Sequence, residues 1–343
     1  MATAPASPSH VVIITGGSSG IGLATARLFA KRGWRVGLIA RGEAGLKAAA
    51  ERIRAEGGRV EGGWVETAAA DVADRAALAA AATSIMDKLG PVEIWINDAG
   101  AAMVGPFTET SEDEFRRVID TTFMGQVNGT RVALAAMTPR GRGTIVAIGS
   151  EVSFRAMPLM SAYSAAKFAM RGFYESVRAE LMSEHSPIHI GLVHPPAINS
   201  PFFAHAGAHL PDGEVPSPVP PYYQPELIAE AVWLVASERR RELKVTGATV
   251  GMALANAVMP SVLDQVLARI GHGMQVTRRR DAAAARDPAV LSAGQRAPRV
   301  HGVFGDRVMT SSAQMWVARN RYTIGLSAIG LMWATRRRRR RRS

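Results

Sequence analysis

The sequence contains no cysteine in its 343 residues. This absence excludes disulfide bonds, cysteine nucleophiles and metal sites built from thiolates. The first ten residues, MATAPASPSH, lack the basic segment and the apolar run of a secretory signal, so we expect a cytoplasmic protein. Three histidines, His194, His205 and His209, lie in the same region of the sequence, but their spacing matches no metal-ligand set. We expect them to line a site or to lie at the surface.

A run long enough to cross a membrane is lacking near the C-terminus, where residues 322–335 read YTIGLSAIGLMWAT. These fourteen residues would rise about 21 Å as a helix, against a hydrocarbon core of about 30 Å. Seven arginines follow at 336–342. Three interpretations stay open: disorder without a specific partner, peripheral attachment to an anionic membrane surface, and non-specific contact with nucleic acid. The last is the least favoured.

The net charge of +12 is unevenly distributed. Residues 271–343 hold sixteen arginines and three aspartates, which leaves 25 basic and 26 acidic residues in the first 270. The nearly neutral body argues against a specific nucleic-acid-binding protein. From residue 272 the hydrophobic periodicity is lost, and we predict that 272–343 is a basic, largely disordered extension.

The body alternates strand and helix patterns, which predicts an α/β fold with a doubly wound parallel sheet and ligands at the carboxyl ends of its strands. The predicted strands are 10–15, 35–40, 64–71, 92–97, 143–150, 188–193 and a closing strand at 245–251, and the predicted helices include 21–33, 45–57, 75–89, 110–129, 158–182 and 226–237.

The first strand ends in TGGSSGIG and is followed by a helix. Glycines at 16, 20 and 22 allow the backbone to approach a pyrophosphate, and the amide groups at the helix N-terminus favour an anion. A tight turn without a ligand is the alternative. The second strand ends at Arg41 with no carboxylate before Glu43. Because an arginine suits the 2′-phosphate of NADP(H), NAD(H) is the less favoured cofactor, unless Arg41 is simply solvated.

Ser150, Tyr163 and Lys167 are the candidate catalytic residues. On a helix over 158–182, Tyr163 and Lys167 are one turn apart on the same face. The ammonium group is expected to lower the pKa of the phenol toward working pH, where it exchanges protons with a carbonyl or alcohol oxygen. Ser150, at the end of a strand, would hold that oxygen. An ordinary surface tyrosine and lysine are the alternative.

Together, TGGSSGIG, Asp71-Val72, the NDAG at 97–100 and this trio resemble the short-chain dehydrogenase/reductase family over about residues 8–255. The resemblance implies a Rossmann-type sheet, a nicotinamide cofactor, Tyr163 as the proton donor or acceptor, Lys167 on the nicotinamide ribose, and a homo-oligomer formed through helices near 110–135 and 158–182. It implies cofactor contacts from Gly16, Ser18, Ser19, Gly20, Ile21, Gly22, Arg41, Asp71, Val72, Asn97, Ala99, Gly100, Tyr163, Lys167, Pro195, Ile198 and Ser200.

Three positions depart from the family pattern. Asp98 replaces a frequent asparagine, a change that we expect to be tolerated. Thr122 stands where the family often has an asparagine in a proton relay, so Thr122 joins the candidate catalytic residues with a relay that differs. Pro196 stands where the family usually has glycine, and it stiffens the turn before Ile198 and Ser200.

The proline-rich segment 201–225 carries Phe202, Phe203, Leu210, Tyr222 and Tyr223. By the resemblance it is a substrate lid, and its apolar content suggests a hydrophobic ketone, aldehyde or secondary alcohol. A surface loop packed on the body is the alternative. We predict four segments: a tail at 1–9, a catalytic domain at 10–255, an additional helix at 256–271 near the substrate mouth, and the extension.

The predicted function is an NADP(H)-dependent oxidoreductase. The alternative from another class is a membrane-associated nucleotide-binding scaffold or sensor with little turnover, motivated by Thr122, Pro196 and the basic tail. Such a protein would be peripheral at the membrane through its C-terminal extension.

Overall fold

The β-branched runs of the sequence form one seven-stranded parallel sheet in the computed structural model, which describes residues 10–56, 64–294, 296–305, 308–321 and 323. The predicted tail at 1–9, the polyarginine segment and nearly all of the apolar segment 322–335 lie outside the described residues. The strands are β1 (Val11–Thr15), β2 (Arg35–Ala40), β3 (Val65–Ala69), β4 (Ile94–Asn97), β5 (Thr144–Ile148), β6 (His189–His194) and β7 (Glu242–Lys244). Their order across the sheet is β7-β6-β5-β4-β1-β2-β3.

Helices cover both faces of this sheet. They are α1 (Gly20–Lys31), α2 (Glu43–Glu56), α3 (Arg75–Leu89), α4 (Glu112–Ile119), α5 (Gly125–Met137), α6 (Ser161–Ser183), α7 (Phe202–His205), α8 (Pro225–Ser237), α9 (Gly247–Val258), α10 (Pro260–Gln275), α11 (Arg280–Ala284) and α12 (Ala313–Arg319). A π-helical turn, Asp120–Met124, joins α4 to α5.

Alternate residues of each strand serve the two faces. In β1, Val12 and Ile14 belong to a core shared with α1, α2 and α8, whereas Val11 and Ile13 belong to a second core with α3, α5 and α6. Near-continuous apolar strands are required when both faces of a parallel sheet are covered. The prediction of a doubly wound parallel α/β fold is therefore confirmed.

The predicted closing strand at 245–251 is wrong. The last strand, β7, ends at Lys244, and the helix α9 begins at Gly247 because Thr246 caps it: its hydroxyl accepts a hydrogen bond from the Thr249 amide. Such a cap satisfies an amide group that a helix leaves unpaired, and it outweighs the β-branched character of VTGATVG. The predicted domain boundary at 255 falls inside α9.

The single helix predicted at 256–271 is also replaced by two helices. Pro260, which lacks an amide hydrogen, begins α10, and the axes of α9 and α10 are bent by 118°. Within the described part of the chain, no single helix has the length and apolar character needed to cross a membrane, and this bent pair meets that test only jointly.

The described part of the extension is folded, in contrast to the predicted disorder. Val276–Thr277 pairs antiparallel with Val215–Pro216, and Val308–Met309 pairs parallel with Tyr222–Tyr223. Val300, Met315 and Ala318 are buried in the core that contains α1 and α8. Widely spaced apolar residues form no periodic pattern of their own, but each can fill a place that the body provides.

We expect Val300→Ala to destabilise the protein by roughly 2 kcal/mol, because Val300 is 1% exposed and loses two buried methyl groups. Leu291→Ala, a change in the same segment at a side chain that is 67% exposed, is the matched control and should have almost no effect. Urea unfolding followed by circular dichroism measures both. Equal midpoints for the two variants would show that the segment does not pack on the core.

Candidate active site

A cleft of about 470 Å³ opens at the carboxyl edge of the sheet. Parallel strands place their carboxyl ends at one edge, so residues distant in sequence meet there. Most of the sequence-predicted site residues line it: Gly16, Ser18, Ser19, Gly20, Ile21, Arg41, Asp71, Val72, Ala99, Gly100, Ser150, Tyr163, Lys167, Pro195, Ile198 and Ser200.

Asn97 does not face the cleft. Its amide group donates to the Tyr174 hydroxyl at 3.0 Å and to the Thr130 hydroxyl at 3.2 Å, and its oxygen accepts from the Trp95 indole at 2.8 Å. Asn97 is 1% exposed. It therefore ties β4 to α5 and α6, and the structure does not bring this side chain into the cleft with the other predicted cofactor contacts.

Thr122 is also behind the cleft wall. Its hydroxyl donates to the Ala101 carbonyl and accepts from the Ala101 amide, both at 2.9 Å. A hydroxyl has one donor hydrogen, and this one is used on the backbone. Thr122 therefore holds the loop after β4, and its side chain has no donor left for a relay water.

The glycine turn packs against that same loop. Gly16 has a φ of +74°, and a Cβ there would lie 2.8 Å from the Ala99 amide nitrogen. A Cβ on Gly22 would lie 2.3 Å from the Gly16 carbonyl oxygen and 2.8 Å from the Asp98 carboxyl. These positions need glycine because a side chain there would overlap with the neighbouring backbone. Gly22 is not in the cleft lining, so its role is to allow the close packing of the turn.

The candidate catalytic trio meets at the middle of the cleft. Tyr163 and Lys167 lie one turn apart on α6, with the Lys167 ammonium 5.5 Å from the centre of the Tyr163 ring. Lys167 donates to the carbonyl oxygen of Ile148, at the end of β5, at 2.7 Å. The Ser150 hydroxyl accepts a hydrogen bond from the Val152 amide at 3.1 Å. It also forms a hydrogen bond with the Tyr163 hydroxyl, and this bond acts to lower the pKa of Tyr163.

The net shift of the Tyr163 pKa is nevertheless upward, opposite to the sequence prediction. Burial raises it most, and the charges of Asp98 and Glu151 raise it further. Burial also lowers the pKa of Lys167 to about 8, against the opposing effect of Asp98. Sequence spacing showed the cation beside the phenol, but it could not show how deeply both groups are buried.

Two half-buried carboxyl groups, Asp98 and Glu151, flank the trio, and neither was recognised as a site residue from the sequence. Burial raises the pKa values of Asp98 and Glu151 to about 7. Asp98 accepts a hydrogen bond from the Gly22 amide and faces Lys167. The Glu151 carboxyl lines the cleft and has no hydrogen-bond or ion-pair partner among the described residues. The available signal was a carboxylate directly after an apolar strand, at each of these positions.

Arg41 is bound rather than solvated. Its guanidinium group donates to the carbonyl oxygen of Val290 at 3.1 Å and to that of Ala289. Arg117 donates to the same Val290 oxygen at 3.1 Å and pairs with Asp71. Burial and the neighbouring Arg117 lower the pKa of Arg41. Both partners of Arg41 belong to the C-terminal extension, which the sequence analysis did not connect with this site.

The opposite half of the cleft is apolar. The Phe202 ring lies 5.3 Å from the Tyr163 ring. Leu210 and Tyr222 of the predicted lid are not in the lining, and Tyr222 packs on Phe304 instead. The apolar lining consists of Met157, Met160, Phe202, Phe203, Val219, Tyr223, Met252, Leu267 and Met274. Helices α9 and α10 therefore contribute to the apolar half of the cleft, through Met252, Leu267 and Met274.

The three histidines have separate environments. His194 is buried, and its Nδ1 lies 3.2 Å from the Ser150 carbonyl oxygen. His205 lines the cleft, and His209 pairs with Glu114 at 2.9 Å. Among the described residues no group of three or more His, Asp or Glu side chains is arranged to hold a metal ion.

Comparison with known proteins decides the family. A model of the family described as short chain dehydrogenase matches residues 10–210. The uncharacterized oxidoreductase YxnA of Bacillus subtilis (strain 168) is 33% identical over 271 residues, which are 79% of this chain and 74% of that protein. The chain belongs to the short-chain dehydrogenase family.

Solved structures agree with this assignment. A short-chain dehydrogenase from Streptomyces avermitilis is 25% identical, with a TM-score of 0.60 over 76% of this chain and 96% of its own. Actinorhodin polyketide ketoreductase, solved with NADPH, is 32% identical, with a TM-score of 0.53 over 57% of this chain and 73% of its own.

The residues of this short-chain dehydrogenase fit the nicotinamide cofactor that its family binds. Gly16 and Gly22 keep the turn free of side-chain atoms, α1 directs its N-terminus at the cleft, and Arg41 supplies positive charge at the end of β2. The glycine turn, the end of β2 and the Lys167 ammonium would hold it.

Glu151→Gln should stabilise the protein at pH 8 more than at pH 4.5. The carboxyl group releases its proton near pH 4.5 when unfolded but near pH 7 when folded, so its contribution to stability falls as pH rises through this window. We expect a difference between the two pH values on the order of 2 kcal/mol in urea unfolding.

Glu51→Gln is the control, because this carboxyl group is exposed and has no ion-pair partner among the described residues; it should change stability alike at both pH values. A Glu151→Gln effect that does not depend on pH would contradict the raised pKa.

Proposed function

We propose that this short-chain dehydrogenase uses NADP(H) to interconvert a hydrophobic ketone or aldehyde and the corresponding alcohol. One observation carries the proposal: Ser150, Tyr163 and Lys167 meet at the boundary between a polar, cationic half and an apolar half of a single cleft. A cofactor and an apolar substrate are thus brought together at the three groups that handle a reacting oxygen.

When bound, the nicotinamide supplies hydride transfer to or from the substrate carbon. The Ser150 hydroxyl would orient the substrate oxygen, and the Tyr163 hydroxyl would exchange a proton with it. Lys167, anchored on the Ile148 carbonyl, would hold the nicotinamide ribose and favour the phenolate. Because the pKa of Tyr163 is raised, the phenol is protonated at neutral pH, which supports carbonyl reduction as the favoured direction.

Charge supports NADP(H) over NAD(H). Arg41 is the side chain at the end of β2, where a carboxylate would accept from the ribose of NAD(H). The nearest strand-end carboxylate, Asp71, is paired with Arg117. The actinorhodin polyketide ketoreductase structure contains NADPH, which is the dinucleotide that we propose for this chain.

Self-association and membrane attachment stay predictions. The small side chains Ala165 and Ala169 are exposed on α6, whereas Ala166 is buried, so this helix offers a surface that another helix could approach closely. The peripheral membrane attachment rests on the arginine-rich C-terminus, outside the described residues.

Tyr163→Phe should lower kcat for reduction of an apolar ketone with NADPH by 10²- to 10⁴-fold, since it removes the proton donor. NADPH binding should persist, because the phenyl ring still fills its place. A panel of aliphatic and aromatic ketones, assayed by loss of NADPH absorbance, provides the substrate.

Tyr222→Phe is the control, because this ring packs on Phe304 outside the cleft lining, and its turnover should match the original protein. Unchanged turnover in Tyr163→Phe would overturn the catalytic assignment.

NADPH should bind more tightly than NADH, and Arg41→Ala should narrow the difference about tenfold, because a charge-assisted contact with the 2′-phosphate is lost. Fluorescence titration with each dinucleotide measures both dissociation constants. Arg32→Ala, which removes a surface arginine paired with Glu230, is the control. A preference for NADH would contradict the cofactor assignment.

A further inference from the structure

The segment formed by residues 287–294 and 296–304 borders the cleft, and we call it the strap. It has no helix or strand in its described part. Ala293, Gly294, Arg296, Ala297, Pro298 and Arg299 of the strap line the cleft together with the glycine turn. A segment expected to be disordered therefore forms a wall of the dinucleotide-binding half.

The strap is anchored on both sides of the cleft. At its beginning, the amides of Asp287 and Ala289 donate to the carbonyl oxygens of Ala204 and His205, at 3.0 and 2.8 Å. The carbonyl of the next residue, Val290, receives Arg41 and Arg117.

At its end, the Arg299 carbonyl accepts from the Gly20 amide at 2.9 Å, at the start of α1. Val300 is buried in the main core. The amides of Gly302 and Phe304 donate to the backbone and side-chain oxygens of Asn199, at 3.1 and 3.0 Å. The strap thus spans the cleft from the end of β2 to the loop after β6.

The cations of this region fall into two sets. Arg41 and Arg117 donate to strap carbonyls, and Arg117 also pairs with Asp71. Arg296 and Arg299 line the cleft, and neither guanidinium group has a hydrogen-bond or ion-pair partner among the described residues. Arg41, Arg299 and His205 line the same cleft, and after burial the charges of Arg299 and Arg41 are among the causes that lower the pKa of His205.

We propose that the strap completes the cofactor site, and that Arg296 and Arg299 bind the phosphate groups of the dinucleotide beside Arg41. Arg117 holds the strap in place, whereas Arg41 holds it through two carbonyl oxygens and keeps its other N–H donors for the 2′-phosphate. Unpaired guanidinium groups that line a cleft are suited to phosphate, which they bind through charge-assisted, bidentate hydrogen bonds. This inference rests on the proposed function, because it assumes that the ligand of the cleft is a nicotinamide dinucleotide.

The geometry indicates that the strap forms one side of the cofactor site and does not block it. The cleft of about 470 Å³ remains open beside the strap, and the strap contributes backbone and short side chains to its lining at Ala293, Gly294 and Ala297. Among the amide groups of the glycine turn, only that of Gly20 donates a hydrogen bond to the described residues of the strap, to the Arg299 carbonyl oxygen. If the strap were autoinhibitory, substitutions that loosen it would make cofactor binding tighter, whereas loss of a cofactor-binding strap makes it weaker.

The test is isothermal titration of the full-length protein with NADPH. Arg296→Ala and Arg299→Ala should each raise Kd about tenfold, and the double variant more, because each removes hydrogen bonds to a charged group. Arg299→Lys, which keeps the charge, should lose less. The dependence of Kd on salt should also weaken in the alanine variants.

Arg278→Ala is the matched control: this arginine of the extension is 73% exposed, pairs with Glu214 and lies outside the cleft lining. Its Kd should be unchanged. Thermal unfolding without NADPH should be alike for all variants, because the two cleft side chains have no hydrogen-bond or ion-pair partners to lose within the described ranges. A variant that unfolds early is replaced by its lysine counterpart.

A second readout is limited digestion with trypsin, which cleaves after arginine. NADPH should protect the bonds after Arg296 and Arg299 in the original protein, as identified by mass spectrometry. If the original protein binds NADPH but the alanine variants bind it equally or more tightly, the inference is overturned and the proposed function stands. If the original protein binds no dinucleotide, the proposed function fails as well.

Discussion

A buried ammonium group needs compensation, and the site is arranged around this requirement at Lys167. Lys167 is 3% exposed, and moving a charge of this kind out of water is costly unless it is paired and hydrogen-bonded. The Ile148 carbonyl provides the hydrogen bond, and Asp98 provides the opposing charge. Asp98 in turn needs a donor, which is the Gly22 amide. A Cβ at Gly22 would collide with the Gly16 carbonyl oxygen and the Asp98 carboxyl group, so the first helix, the loop after β4 and α6 depend on one another.

The strap obeys a different constraint, because its stability comes from its ends. Its first residues are fixed by backbone hydrogen bonds and two arginines, and Val300 is buried in the main core. Between them, Leu291 is 67% exposed and Gly294 carries no side chain. Segments with few buried contacts open at lower free energy than the core does. We therefore expect the position of the strap beside the cleft to depend on these two anchored ends.

Local patterns were sufficient for the features that depend on neighbours in the sequence. The apolar runs predicted the parallel sheet, the glycine turn predicted the anion-facing start of α1, and the spacing of Tyr163 and Lys167 placed both on one face of α6. What failed depends on distant partners. The sequence around Asn97 does not show that its amide group donates hydrogen bonds to Tyr174 and Thr130. The sequence around Val300 does not show that this side chain is buried in the core. The direction of the Tyr163 pKa shift depends on burial, which no spacing encodes.

One half of the cleft is polar and can stay hydrated, whereas the other half is apolar and excludes water. Ser150, Tyr163 and Lys167 lie at the boundary between the two halves. Phosphate groups require cations that keep their hydrogen-bonding capacity, as Arg296 and Arg299 do, whereas the methionine and aromatic lining of the other half gains free energy by excluding water. Excluding water also raises the pKa of Tyr163 and strengthens every charge near it. Under the proposed function, the apolar surroundings that raise the pKa of Tyr163 would also receive the hydrophobic substrate, so substrate preference and proton transfer would be coupled at this boundary.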